Sequence, residues 1–212
     1  MSSLITPRWL GRIPYTEGLH LQESLVEGKI AGESANHLLL LEHEPVYTMG
    51  RTRDESSLGE ETQLTHPVHR TNRGGQATYH GPGQLVGYPV IDLALFDRDL
   101  HSYLRFLEEV LITLLERYKV FGERVEGKTG VWVGGKKIAS LGVGVRKWIS
   151  MHGFAINICG DLTPFHHITP CGLPGVEMTS LEAEGAQGVT VGSCATDVAE
   201  IFNELIVSGL KF

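Results

Sequence analysis

Cys171 stands in a proline- and glycine-rich stretch, Ile168-Thr169-Pro170-Cys171-Gly172-Leu173-Pro174-Gly175, where a small thiol has no obvious packing role. Loops carried on a rigid scaffold are where reactive groups tend to sit. A thiol attacks as the thiolate, so this chemistry requires a cation nearby to lower its pKa. Cys194 competes on the same grounds, because it falls near the predicted N-terminus of the last helix, where the helix dipole favours an anion. Cys159 ends an apolar run and reads as a packing residue. Residue chemistry alone leaves Cys171 and Cys194 open as nucleophiles. His166, His167 and Cys171 can be drawn together as zinc ligands, but no second Cys or His pair has ligand spacing.

Three further segments carry groups that can serve such a thiol. Gly134-Gly135-Lys136-Lys137-Ile138-Ala139-Ser140-Leu141-Gly142 places two lysines after a Gly-Gly turn. Paired lysines are usually solubilising charge, yet on a strand they point to opposite faces, so one can be solvated while the other looks into a cleft. Arg73-Gly74-Gly75-Gln76-Ala77-Thr78-Tyr79-His80-Gly81-Pro82-Gly83-Gln84 offers adjacent glycines for close backbone approach and an arginine for an anion. Its spacing fits neither the Walker pattern nor the dinucleotide fingerprint, and on glycine content alone a tight polar hairpin is the simpler reading. His152, before Gly153-Phe154-Ala155-Ile156-Asn157, is more often a hydrogen-bonded structural residue than a catalyst.

The elements that must hold these groups follow from the hydrophobic pattern. A loose apolar face predicts a helix over 15–31, and a run of strand length spans His37 to Glu42, followed by an extended Pro45 to Met49. The stretch from Asp54 to Pro67 is polar and turn-rich and reads as a mobile loop. Gln84 to Leu93 reads as a strand bent at Gly87. The clearest helix runs from about Leu100 to Tyr118, with Arg105, Glu108, Glu109 and Glu116 on the face opposite the leucines. Three strands then follow one another, Val131–Val133, Ile138–Val145 and Met151–Ile158, before a last helix from about Ser193. Consecutive strands outnumbering helices predict an α+β fold with a mixed or antiparallel sheet.

With 212 residues, 42% of them apolar, the chain suits a single domain over 1–212. A net charge of −7 argues against a general nucleic-acid binder, although Arg51, Arg53, Arg70, Arg73, Lys136, Lys137, Arg146 and Lys147 fall near the glycine-rich segments. No secretory leader and no apolar stretch long enough to span a bilayer is visible, and three cysteines without a CxxC suit a reducing cytoplasm. No helix shows a second apolar face, which suits a monomer.

Taken together, RGGxxTYHGPGQ at 73–84, KIAxxG at 137–142, HGxAxN at 152–157 and the Pro-Cys-Gly loop resemble, in order, the octanoyl-[acyl-carrier-protein]:protein octanoyltransferases of lipoate biosynthesis. The resemblance runs from Glu44 to Leu181. It implies the biotin and lipoate ligase-like fold, a mixed sheet flanked by helices with a smaller second sheet. It implies Cys171 as the acylated nucleophile, with Lys137, not Lys136, beside it. It implies an acyl pocket lined by Arg73, Gly74, Gly75, Gln76, Ala77, Thr78, Tyr79 and His80, by Ser140, Leu141 and Gly142, and by Gly153, Phe154 and Ala155. The donor it implies is octanoyl-acyl carrier protein. The acceptors are lipoyl domains of 2-oxoacid dehydrogenase E2 subunits and the glycine cleavage H protein. A thioester is activated enough for thiolate attack without ATP, metal or other cofactor. Backbone N–H groups near Gly142, Gly153 or Cys171 are the expected oxyanion donors, and a basic rim at Arg51, Arg70, Arg146 or Lys147 the expected docking surface for acidic carriers.

Overall fold

The computed structural model describes residues 5–33, 35–52 and 54–209. In chain order the strands are β1 (Thr6–Ile13), β2 (His37–His43), β3 (Val46–Met49), β4 (Val68–Arg70), β5 (Thr78–His80), β6 (Gln84–Val90), β7 (Glu123–Val125), β8 (Lys128–Val133), β9 (Lys136–Arg146) and β10 (Ile149–Asn157). The helices are α1 (Tyr15–Ile30), α2 (Leu100–Arg117) and α3 (Val191–Ser208). A large sheet runs β1-β2-β6-β10-β9-β8-β7, and a small one runs β4-β3-β5. β1 lies parallel to β2 and β3 parallel to β4, while the other pairs are antiparallel. This is the expected α+β architecture of a mixed sheet with a smaller companion.

One face of the large sheet is covered by α2 and α3. Their leucines, valines and phenylalanines form the main core with Leu38, Leu85, Val131, Ile138 and Ile156. Burial of this apolar surface stabilises each side chain by roughly 1.5–3 kcal/mol. Asp99 starts α2 by accepting the N–H groups of His101 and Ser102. A capping box of Thr190 and Ser193 starts α3. The helix α1 packs on the opposite face, over Val90, Ile149 and Met151. Between the small sheet and the short 3-10 turns lies a separate cluster that includes Tyr47, Met49, Tyr79 and Phe165.

One strand was missed and three expectations need correction. β1 was not legible in the sequence: it is an edge strand, mostly exposed, and so lacks the alternating burial that marks a strand. Gly87 is not a bend. It keeps register with Phe154 on one side and Leu40 on the other, and an added Cβ would lie 2.1 Å from Phe154 Cζ, so the missing side chain seats a ring. Glu108 does not face solvent, being only 1% exposed. The 54–67 stretch holds two 3-10 turns, Ser56–Leu58 and Glu61–Gln63, and buries Ser57 and Leu58.

Candidate active site

A cavity of about 390 Å³ opens where the Arg73–His80 segment, β9, β10 and the Cys171 loop converge. Backbone groups diverted from the β-ladder build this junction. His152 has φ 56°, outside the range of ordinary strands. Its N–H donates to Gln22 Oε1 of α1 at 2.6 Å. Its cross-strand partner Val143 instead gives its carbonyl to the N–H of Gly74 at 2.8 Å. The ladder between β9 and β10 thereby releases one acceptor that anchors the Arg-Gly-Gly turn and one donor that anchors a helix. Both diverted groups remain satisfied, as burial requires.

Cys171 lies at the mouth of this junction in a left-handed conformation (φ 56°, ψ 20°), which for a non-glycine residue costs about 1–2 kcal/mol. Its N–H donates to Ala77 O at 2.9 Å, and its Sγ lies 3.5 Å from Ser140 Oγ. Because that N–H is already paired, it is not the free oxyanion donor expected from the sequence. Ser57 ties the two segments together: its carbonyl accepts from Thr169 N–H at 2.7 Å, and its hydroxyl accepts from Ala77 N–H at 3.2 Å.

Lys137 is only 1% exposed. Its Nζ donates to Thr129 O at 3.0 Å and stands 5.3 Å from the centroid of the Trp132 ring, within cation–π range. Lys136 points the other way and pairs with Glu177 at 3.5 Å in solvent. The backbone of Lys137 is bridged to the chain after the Cys171 loop, donating to Glu177 O at 2.8 Å and accepting from Thr179 N–H at 3.0 Å. Cys171 and Lys137 thus line one cavity from two elements.

The polar wall is a buried network. Arg73 Nη2 donates to Thr48 O and Thr48 Oγ1, each at 2.8 Å, and to Gln76 O at 2.9 Å, while Nη1 donates to Gly74 O at 3.0 Å. Burial pushes the Arg73 pKa down, and Tyr15 and Cys171 pull against it. Gln84 Nε2 donates to Tyr79 O and to Asn157 Oδ1, which leaves Gln84 Oε1 to accept from His80 Nδ1 at 2.7 Å. His80 Nε2 therefore accepts from Thr48 Oγ1 at 3.3 Å. Burial holds His80 at a pKa of about 3 and His152 at about 4, so both rings are neutral near pH 7. His152 Nε2 meets Asn72 Oδ1 at 2.6 Å.

Of the pocket residues named from the sequence, Arg73, Gly74, Gly75, Gln76, Thr78, His80, Ser140, Leu141, Gly142, Gly153 and Phe154 border the cavity with Cys171 and Lys137. Ala77, Tyr79 and Ala155 do not. Ala77 and Tyr79 pack into the small-sheet cluster, and Ala155 packs on the α1 side with Leu39 and Leu41. Sequence reasoning missed the lining residues Tyr15 and Tyr88, and also Leu100, Leu104, Val143 and Leu173, which with Leu141 and Phe154 make up the apolar part of the lining. Leu104 was legible only as one more member of the α2 stripe. Cys194, the rival nucleophile, is fully buried, and burial raises its pKa to about 11. Among the described residues no group of three or more His, Cys, Asp or Glu is gathered to hold a metal. Among the described residues no helix is long and apolar enough to cross a membrane. Of the proposed rim, Arg70 is paired with Glu55 and Glu61, and Arg146 lies 3.5 Å from Glu27. Arg53 falls outside the described residues.

Residues 14–203 match the lipoyl protein ligase A/B catalytic domain. The octanoyltransferase of Geobacter sulfurreducens is 49% identical over 95% of this chain and 84% of its own length. That of Geotalea uraniireducens is 54% identical over 82% of this chain and 80% of its own. The chain belongs to the octanoyltransferases of this family. Octanoyltransferases are acyltransferases, and the fold is shared more widely. A bi-partite lipoate protein ligase from Thermoplasma acidophilum superposes with a TM-score of 0.71 at 17% identity, over 98% of this chain and 84% of that one. The biotin protein ligase from Aquifex aeolicus superposes at 0.59 and 16% identity, over 96% and 71%. These likenesses extend the expected ligase-like architecture to this octanoyltransferase.

Proposed function

We propose that this octanoyltransferase takes an octanoyl group from octanoyl-acyl carrier protein onto Cys171 and delivers it to a lysine of a lipoyl domain. The acceptors are E2 subunits of 2-oxoacid dehydrogenases and the glycine cleavage H protein. The observation that carries this reading is that Cys171 and Lys137 line one cavity together with apolar side chains, which we read as the acyl slot. In the first half-reaction the Cys171 thiolate attacks the donor thioester carbonyl, forming a new C–S bond, and the carrier thiol leaves with a proton. Lys137, which borders the same cavity, is assigned to move that proton and to favour the anionic sulfur. In the second half, the acceptor lysine amine attacks the enzyme thioester, an amide C–N bond forms as the acyl C–S bond to Cys171 breaks, Cys171 leaves as the thiolate, and the amine proton returns to the Cys171–Lys137 pair. Exchange of a thioester for an amide is downhill, so no nucleotide is consumed, and the cycle is ping-pong. Each methylene buried against Leu104, Leu141, Val143 and Phe154 adds about 0.8 kcal/mol of binding.

Mixing the protein with octanoyl carrier protein without ATP, and following intact mass, tests the reading. An octanoyl adduct on Cys171 that then moves to a lipoyl domain is expected. Strict ATP dependence, loading only from an octanoylated lipoyl domain, or an adduct elsewhere overturns it.

A further inference from the structure

We infer that Glu108, one helical turn beyond the cavity residue Leu104 and itself absent from the cavity walls, is a positioning residue that acts on Lys137 through a single peptide group. This inference rests on the role proposed for Lys137. Glu108 lies on α2 and is 1% exposed. Its two carboxylate oxygens have different partners. Oε2 accepts from Arg105 Nη1 at 2.7 Å and Arg124 Nε at 3.1 Å, whereas Oε1 accepts from the N–H of Gly130 at 3.0 Å. That N–H belongs to the Thr129–Gly130 peptide, and the carbonyl of the same peptide accepts from Lys137 Nζ at 3.0 Å. Carboxylate, peptide and ammonium form one line of hydrogen bonds from helix α2, through β8, to β9.

The consequence is physical. A carboxylate bonded to the N–H end of a peptide polarises its C=O end, so each bond of such a chain strengthens the next. It also fixes the peptide plane, which aims the carbonyl of Thr129 at the amine. Gly130 belongs to the device: it has φ +132°, and a Cβ there would lie 2.8 Å from Lys137 Cε and 2.6 Å from Ala139 O. The Trp132 ring completes the seat from the same strand. The charged groups around this line are Arg105 and Glu109 from α2, Arg124 from β7, which pairs with Glu109 at 2.6 Å, and Lys128 from β8, the last standing 5.1 Å from the Trp132 centroid. Oε2 satisfies the two guanidiniums while Oε1 is left to the peptide. A glutamine cannot do both, since its amide nitrogen must face either the guanidiniums or the Gly130 N–H, donor against donor.

The test uses Glu108→Gln, Arg105→Gln and Lys137→Met in the full chain, with two readouts besides thermal melting. These are kcat and KM for octanoyl transfer, and the pH profile of Cys171 alkylation by iodoacetamide. For Glu108→Gln a roughly tenfold fall in kcat with KM within about twofold is expected, and the alkylation profile moves toward that of Lys137→Met. Combining Glu108→Gln with Lys137→Met adds no further change to the alkylation profile. Arg105→Gln removes one guanidinium but leaves the peptide line, so it lowers the melting temperature and keeps both readouts. If Glu108→Gln has no cooperative melt, Glu108→Asp is read in its place and lies between wild type and Lys137→Met. A Lys137→Met variant with wild-type kcat and alkylation profile overturns the role of Lys137 itself. A defective Lys137→Met with Glu108→Gln at wild-type values, or with additive effects of the two, overturns only the inference about Glu108.

Discussion

Ser140 Oγ lies 3.5 Å from Cys171 Sγ, so the thiol of the Pro-Cys-Gly loop shares a hydrogen bond with strand β9, the strand that carries Lys137. The hydroxyl can donate to the sulfur once it is a thiolate. Replacing Ser140 with Ala removes one such bond, worth about 0.5–1.5 kcal/mol. Acylation of Cys171 by a small octanoyl thioester should slow by roughly two- to tenfold. A stopped-flow burst with unchanged rate would remove Ser140 from the chemistry.

The two rival cysteines separate cleanly by substitution. Cys171→Ala should abolish transfer and the thioester adduct while keeping the melting temperature, since its side chain is only partly buried. Cys194→Ala should keep transfer and lose about 1 kcal/mol of stability, from a vacated position in the main core. Denaturant titration and an activity assay on the same samples decide the matter. A dead but stable Cys194→Ala would reverse the assignment.

Acid should unfold this protein through histidines as well as carboxylates. His43 and His152 are held at about 4 and His80 at about 3 by burial, against 6.5 when free. Their folded pKa values are depressed, so the unfolded chain takes up protons first as pH falls. The neutral rings contribute full stability above about pH 6.5, and each loses about 1.4 kcal/mol per pH unit between there and its folded value. His43→Gln, outside the cavity walls, should shallow the decline in stability between pH 7 and 5 by about one proton. An unchanged slope in that variant counts against burial as the cause.

Chain-length selection can be altered from beneath the slot. Gly87→Ala would push a methyl group into the Phe154 ring, which packs on Gly87 and also borders the cavity. The displaced ring shortens the space for the acyl tail. The preference should move from eight carbons toward six, with a loss of about 0.8 kcal/mol for each methylene excluded. Competition between hexanoyl and octanoyl thioesters measures this, and an unaltered ratio would place the tail elsewhere.

Sequence pattern was most informative where one force dominates. The α2 stripe and the β8–β9–β10 meander emerged from apolar spacing because burial alone decides them. Cys194 misleads for an instructive reason. Its place at a helix start suggests a reactive thiol, yet it lies on the inward stripe with Val198 and Ile201, and burial outweighs the dipole. Glu108 was hidden because charge normally marks the outer face; Arg105 lies one turn away on the same helix, but only the tertiary arrangement adds Arg124 and a peptide N–H to receive it. The lysine pair was readable as one inward and one outward residue. Which one turns inward follows from the pairing of Trp132 with Lys137, which no local pattern encodes.

The Cys171 loop is stitched at both ends. Upstream, Cys171 N–H is held by Ala77 O; downstream, Glu177 and Thr179 clasp the backbone of Lys137. The stretch between them turns through Gly172 and Gly175, both at positive φ, and is tied by the N–H groups of Gly172, Leu173 and Val176 to carbonyls three residues back. In the proposed cycle two large proteins visit this enzyme in turn, one arriving loaded and the other leaving loaded. With the sulfur moored on either side, the guests can be swapped at the doorway while the reacting atoms keep their places.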